Sequence, residues 1–388
     1  MKSYKKHLEQ ALDEIREAGR WRQLNPAPQV GGTYQHGDAC WLNFSSNDYL
    51  DLARHPSVRE GAMEAVEKYG GGATGSRLMA GDLDLHHALE QRLARLTGHE
   101  QALVFPSGYQ TNIAVMSSLT IPGDAIFSDA LNHASIIDGI RLSRASAQIY
   151  RHRDMEHLES LLEKCRHAPK RIIVSDAVFS MDGTVAPVET LAELAHAYDA
   201  MLVVDEAHAL GIWGQGGGLC RELGVQPDVI IGTLGKSLGS AGGFAASSSL
   251  IRDCLVNRGR SFIYTTGLLP AAVGAAMGAL DAIAEDPALG VRLLERSELF
   301  RAVLRETGIE PGGEGTQIFP ILVGDDETAV SIARALQDDG MIVTGIRPPT
   351  VPAGTSRLRL SVTLAHEEAS FRRVALALAG LLPVMKEG

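Results

Sequence analysis

Cysteine is scarce: Cys40, Cys165, Cys220 and Cys254 are far apart in 388 residues and form no Cys-x-x-Cys pair. That excludes a disulfide framework and fits a reducing cytosol. Positive charge is short too, with 36 Lys and Arg against 47 Asp and Glu for a formal charge of -11. No basic tract interleaves with aromatics, so a nucleic-acid backbone is a poor partner. The most apolar long stretch, Leu268 to Ala284, is broken by Pro270 and Asp281 and is rich in small residues. It reads as a buried helix, not a membrane span. After Met1-Lys2-Ser3-Tyr4-Lys5-Lys6-His7 the chain enters an amphipathic acidic helix beginning Leu8-Glu9-Gln10, with no apolar signal-peptide core.

Several catalytic patterns are also missing. There is no Gly-x-Ser-x-Gly for serine acyl transfer and no His-Glu-x-x-His for zinc. His86 and His87 are adjacent on a helix, so their side chains diverge by about 100° and cannot share a metal. Gly70-Gly71-Gly72-Ala73-Thr74-Gly75-Ser76-Arg77 is pliable but lacks the dinucleotide fingerprint. Asp205-Glu206-Ala207-His208 invites an ATPase reading, which fails on two counts. Ile230 stands where a phosphate loop ending in Gly235-Lys236-Ser237 needs glycine, and the two motifs occur in the wrong order.

What is present is alternation. Runs rich in Val, Ile and Phe at Gln101–Phe105, Ala125–Ser128, Gln148–Tyr150, Arg171–Ser175, Met201–Val204, Val229–Gly232 and Gly243–Ala246 are separated by helical patterns such as Asp154–Lys164 and Val188–Tyr198. This predicts an α/β fold with a mostly parallel sheet covered on both faces, its functional loops beyond the strands' C-terminal ends. A helix through about Arg20, Asn25-Pro26-Ala27-Pro28 and the polar Gly31–Asp38 stretch form an arm, residues 1–45. Residues 46–285 form the large domain. A smaller α+β domain, 286–388, follows the helix Leu268–Ala284 and carries strand-like Gln317–Val323, helical Ser331–Asp338, Met341–Thr344 and Arg357–Val362.

Lys236, set among glycines just beyond Asp228-Val229-Ile230-Ile231, is placed for covalent chemistry, and Asp205 ends a neighbouring strand where it can pair with a ring nitrogen. Together they point to pyridoxal phosphate. A lysine closing a helix start and an aspartate capping a turn would read the same way. Phe105-Pro106-Ser107-Gly108-Tyr109 opens a helix whose first N–H groups can hold a phosphate dianion, or is a capped Ser-Gly turn. His208, three residues past Asp205, can reach the same ring. His133 follows a strand, where a histidine is more often a surface or hydrogen-bonding group.

In order along the chain, Asn43-Phe44-Ser45-Ser46-Asn47-Asp48-Tyr49-Leu50, Gly75-Ser76-Arg77, Ser107-Gly108-Tyr109, Asn132-His133-Ala134-Ser135, Phe179-Ser180-Met181-Asp182-Gly183, Asp205-Glu206-Ala207-His208 and Gly232 to Gly239 resemble the α-oxoamine synthase family. The resemblance implies the aspartate-aminotransferase-like fold (fold type I of pyridoxal enzymes) and decarboxylative joining of an amino acid to an acyl thioester. By resemblance Lys236 binds the cofactor covalently, Asp205 pairs with its ring nitrogen, His208 reaches its phenolic oxygen and His133 stacks on its ring. Ser180 lies near the ring, and Ser107, Gly108, Tyr109 and Thr233 hold the phosphate. Thr265 and Thr266 add a phosphate contact from the other subunit of a homodimer with shared active sites. Arg359 resembles the clamp for the amino-acid carboxylate, or lines an edge strand. Asn47, Arg20 and Arg347 are further substrate contacts. Ile346-Arg347-Pro348-Pro349 through Arg359 is most similar to members that take L-alanine and a pimeloyl thioester, on CoA or acyl carrier protein, in biotin synthesis. Glycine with acetyl-CoA is the alternative.

Overall fold

The computed structural model describes residues 3–24, 26 and 29–382; of the break at Asn25-Pro26-Ala27-Pro28, only Pro26 lies within them. The strands are β1 (Thr33–His36), β2 (Ala39–Asn43), β3 (Gln101–Phe105), β4 (Ala125–Asp129), β5 (Ser146–Tyr150), β6 (Arg171–Asp176) and β7 (Met201–Asp205). They continue with β8 (Val229–Thr233), β9 (Gly243–Ser247), β10 (Ile318–Gly324), β11 (Met341–Ile342), β12 (Thr344–Ile346) and β13 (Ser356–Ser361). The chain forms two compact units: Asn47–Ser180 with Thr184–Glu295, and residues up to Ser46 with Met181–Gly183 and Arg296 onward.

The larger unit is built on a seven-stranded sheet of order β3-β9-β8-β7-β6-β4-β5. The pairs β4–β5, β4–β6, β6–β7 and β7–β8 are parallel, and β9 alone runs against both its neighbours. The alternation of side chains explains why these strands read as unbroken apolar runs. Leu103, Ile126, Ile172, Val174, Val203 and Ile231 share one buried cluster with Val115 and Met116 of the helix Gly108–Ser118 and Ile136 and Ile140 of the helix Ala134–Ser143. Their neighbours Val104, Phe127, Ile173, Val204 and Ile230 are equally buried. Each such side chain contributes about 1.5–3 kcal/mol on leaving water.

The small-residue helix observed at Pro270–Glu285 packs on the helix Pro56–Tyr69, both within this unit. A Cβ on Gly274 would fall 2.1 Å from Gly61 O, so only glycine permits this approach of backbones. The helix expected to lead into a second domain is thus core of the first. The boundary lies ten residues beyond the expected 285/286, inside the helix Leu289–Glu306.

The smaller unit holds two three-stranded sheets, β1-β2-β11 and β10-β13-β12. The arm does not stand apart from the C-terminal residues, because β2 pairs in parallel with β11 through Leu42 and Met341. The polar Gly31–Asp38 stretch contains β1, paired antiparallel to β2. Phe44, Phe300, Phe319 and Phe371 form the core, with His366 lying 4.1 Å from the Phe44 ring and nearly parallel to it. His366 Nδ1 accepts the Thr363 N–H, and Nε2 donates to Gly32 O, each at 3.1 Å. Burial holds this imidazole down at about 4, against 6.5 in the unfolded chain. Between those values the unfolded state binds a proton that the folded state refuses, so His366 erodes stability as pH falls from 6.5 to 4, by about 3 kcal/mol in all. Urea unfolding of wild type and His366→Gln across this range should show a steeper acid-side loss in wild type. Parallel curves would contradict this.

Candidate active site

The parallel strands deliver their last residues to one edge of the sheet: Asp176 ends β6, Asp205 ends β7 and Thr233 ends β8. Lys236 follows three residues later, and Gly108 opens the helix after β3. These residues line one cavity of about 180 Å³ together with His133, Ser180, His208, Tyr109 and Asn112. All belong to the larger unit.

The helix Gly108–Ser118 is capped by Ser107, whose side chain accepts the Gln110 N–H at 3.2 Å. That leaves the first-turn N–H groups of Gly108 and Tyr109 directed out of the helix start, where the dipole favours an anion. A Cβ on Gly243 would sit 2.6 Å from Gly108 N, so β9 and the helix start approach as bare backbone. Thr233 Oγ1 donates to Gly242 O at 3.1 Å and accepts the Gly235 N–H at 3.2 Å, which shapes the turn into Lys236.

Asp205 is buried, and both its oxygens accept: Oδ2 from Asn112 Nδ2 at 2.7 Å, Oδ1 from the Ala207 N–H at 2.9 Å. Asp176 is its register partner on β6 and accepts the His133 N–H at 3.1 Å. Burial, then the neighbouring Asp205 charge, holds the Asp176 carboxyl well above the usual carboxylate range. His133 caps the helix Ala134–Ser143 by accepting the Ser135 N–H at Nδ1. Its ring proton therefore sits on Nε2 in the neutral form. Burial lowers its affinity for a second proton, with Asp205 opposing and Lys236 adding to that effect. Lys236 Nζ lies 2.8 Å from His208 Nε2.

Thr265 and Thr266 do not line this cavity. They border another in the same unit, with Ser76, Leu78, Met79 and Tyr264, where Thr265 Oγ1 accepts from Gln110 Nε2 at 3.2 Å. Arg20, Arg347 and Arg359 belong to the smaller unit. There Arg359 is buried on β13 and donates to Ser361 Oγ at 2.9 Å; Arg347 donates to the carbonyls of Gly19 and Trp21, and Arg20 lies 3.5 Å from Asp326. Asn47 accepts from Tyr49 Oη at 3.0 Å in the larger unit.

Sequence reasoning assigned no role to Asn112, Asp176 or Tyr49. Asn112 could have been found, since it lies one helical turn beyond Gly108 and so on the same face. Asp176 ends a strand just as Asp205 does. Tyr49 had no local signal, because its partner His208 is 159 residues away.

The cavity suits pyridoxal phosphate. It combines a helix start for the phosphate, a buried carboxylate for a ring nitrogen and a lysine amine among the lining groups. The profile of the family "Aminotransferase class I and II" matches residues 39–378. An 8-amino-7-oxononanoate synthase of Geobacter sulfurreducens is 46% identical over 95% of this chain and 96% of its own length. A serine palmitoyltransferase from S. paucimobilis, solved with a bound PLP–myriocin adduct, superposes with a TM-score of 0.89 at 29% identity, covering 97% of this chain and 96% of that one. An 8-amino-7-oxononanoate synthase from Francisella tularensis superposes with a TM-score of 0.76 at 26% identity, over 88% and 97%. Near-full-length similarity of this degree, together with the aspartate-aminotransferase-like fold, places the chain in the aminotransferase class I and II family and, within it, among the pyridoxal-phosphate-dependent α-oxoamine synthases.

Proposed function

We propose that this chain condenses L-alanine with a pimeloyl thioester, releasing CO2 and the carrier thiol, as 8-amino-7-oxononanoate synthases do. The observation that carries this reading is the 46% identity to the Geobacter enzyme along 95% of the chain. When bound, pyridoxal phosphate supplies an electron sink for charge developing at the amino acid's α-carbon. Lys236 would hold the cofactor covalently, and its Nζ, when free, would take the α-proton. Asp205, fixed by Asn112 and the Ala207 N–H, keeps the ring nitrogen protonated. His208 serves the phenolic oxygen, and Ser107, Gly108, Tyr109 and Thr233 serve the phosphate. His133, with its proton on Nε2, covers the ring and assists proton transfer, beside Ser180. The roles of Asn47 and Arg359 at the amino-acid carboxylate, and of Arg20 and Arg347 toward the acyl substrate, rest on the family resemblance. The four cysteines are unpaired, which supports work in a reducing cytoplasm.

A panel of amino acids and acyl thioesters, read by thiol release and product mass, tests the reading. Alanine with pimeloyl-CoA or pimeloyl-acyl carrier protein should lead. A preference for glycine with acetyl-CoA would move the chain to the 2-amino-3-oxobutyrate branch.

The same reading makes the enzyme a homodimer in which Thr265 and Thr266 complete the partner's phosphate site. Exposed apolar side chains around those threonines support it, with Met79 85% and Tyr264 71% exposed. Mixed Lys236→Ala and Thr266→Ala chains should regain about a quarter of wild-type activity, since half of randomly reassembled dimers are hybrids and half their sites are intact. No recovery despite verified hybrids would exclude shared sites.

A further inference from the structure

Four side chains of the larger unit form one hydrogen-bonded row: Lys236 Nζ to His208 Nε2 at 2.8 Å, His208 Nδ1 to Tyr49 Oη at 2.7 Å, and Tyr49 Oη to Asn47 Oδ1 at 3.0 Å. The row has a direction. A lysine ammonium offers only donors, so Nε2 accepts, and a neutral imidazole accepting there carries its proton on Nδ1. Nδ1–H then donates to Tyr49 Oη, whose own proton goes to Asn47 Oδ1. With the other tautomer, two N–H donors would meet between Lys236 and His208. Tyr49 is fully buried and His208 nearly so, which makes an unmatched donor costly. Phenylalanine would fill the same space, so the hydroxyl is what the row requires.

We propose that Tyr49 is a positioning residue, fixing His208 with an Nε2 lone pair toward Lys236 so that the lysine can surrender a proton before its cofactor arrives. In that step one N–H bond on Nζ breaks and one on Nε2 forms; the positive charge moves from lysine to imidazole, and no electrons are gained or lost. The amine left behind has the free pair needed to attack the cofactor's aldehyde. The other titratable groups lining the cavity near the pair are Asp205, Asp176, His133 and Tyr109. Asp48, between Asn47 and Tyr49, and Glu206, next to Asp205, accept backbone N–H groups of Leu52 and Ala53, and of Leu219 and Cys220. The inference rests on the proposed role of Lys236 as the cofactor-bearing residue.

Two measurements on the full-length protein test it. Nitrogen-15 NMR of histidine-labelled apoprotein should show His208 protonated at Nδ1, and Tyr49→Phe should turn it into a tautomer mixture. Stopped-flow absorbance should show pyridoxal phosphate becoming attached about tenfold more slowly in Tyr49→Phe, the order expected when the hydrogen bond orienting a functional histidine is lost. Wild-type His208 protonated at Nε2 overturns the proposal, whether or not the variant folds. So does a folded Tyr49→Phe with unchanged tautomer and attachment rate. Failure of the condensation reading is separate: neither measurement uses an acyl thioester.

Discussion

Lys236→Ala is expected to lose the covalent cofactor and to slow condensation by at least about 10³-fold. On the proposed reading the residue has two tasks, bonding the cofactor and moving the α-proton, and Lys236 is the one amine among the described residues lining the cavity. Losing Nζ also leaves His208 Nε2 without its 2.8 Å partner. Noncovalent cofactor binding should persist, because the helix start at Gly108 and the Asp205 carboxylate are untouched. Borohydride reduction followed by peptide mass mapping should place the reduced adduct on Lys236 in wild type and nowhere in the variant. Lys236→Arg keeps a positive charge without a usable nucleophile, so its equal inactivity would assign the effect to chemistry over electrostatics. An adduct mapping to a different lysine in wild type would refute the assignment.

Glu90→Ala should destabilise the protein by about 3–5 kcal/mol, since it strands a buried guanidinium. Arg77 is 7% exposed and donates to Glu90 Oε1 at 2.6 Å and Oε2 at 3.3 Å, with Asp82 taking its Nε–H. Glu90 Oε1 also accepts the Val104 N–H at 3.0 Å, tying the glycine-rich loop and the helix Asp84–Thr97 to β3. Alanine leaves Arg77 with one half-exposed partner and Val104 N–H with none. The double variant Arg77→Met/Glu90→Leu should recover most of the loss, because it removes both charges at once. Urea unfolding of the apoprotein measures both; a Glu90→Ala cost below about 1 kcal/mol, the range of exposed ion pairs, would contradict the argument.

Six strands of the large sheet were legible because both faces are buried, which turns each into a short run of Val, Ile, Phe or Ala; β5, exposed at Ser146, Ala147 and Ile149, was legible only over its last three residues. β1 was not. Thr33–His36 is polar and largely exposed apart from Tyr34, and its sheet is completed by β11, some three hundred residues later. Lys236, Asp205 and Gly108 were legible from their place just beyond or at strand ends, which the sheet's topology turns into a common cavity. The partners that hold those groups were less so. Tyr49 reaches His208 across 159 residues, a distance at which local pattern carries no information, whereas Asn112, 93 residues from Asp205, was marked only by its place one turn beyond Gly108. The helix Pro270–Glu285 was recognised as buried and assigned to the large domain, but its packing partner, the helix Pro56–Tyr69, depends on Gly61 and Gly274 meeting, which only the fold reveals.

The central claim is decarboxylative acyl transfer, and alanine labelled with carbon-13 at its carboxyl tests it most directly. Incubated with a pimeloyl thioester and the holoenzyme, the label should leave entirely as CO2, in step with thiol release, and the aminoketone product should carry none. Label retained in an acylated product, or thiol released with no labelled CO2, would contradict the account.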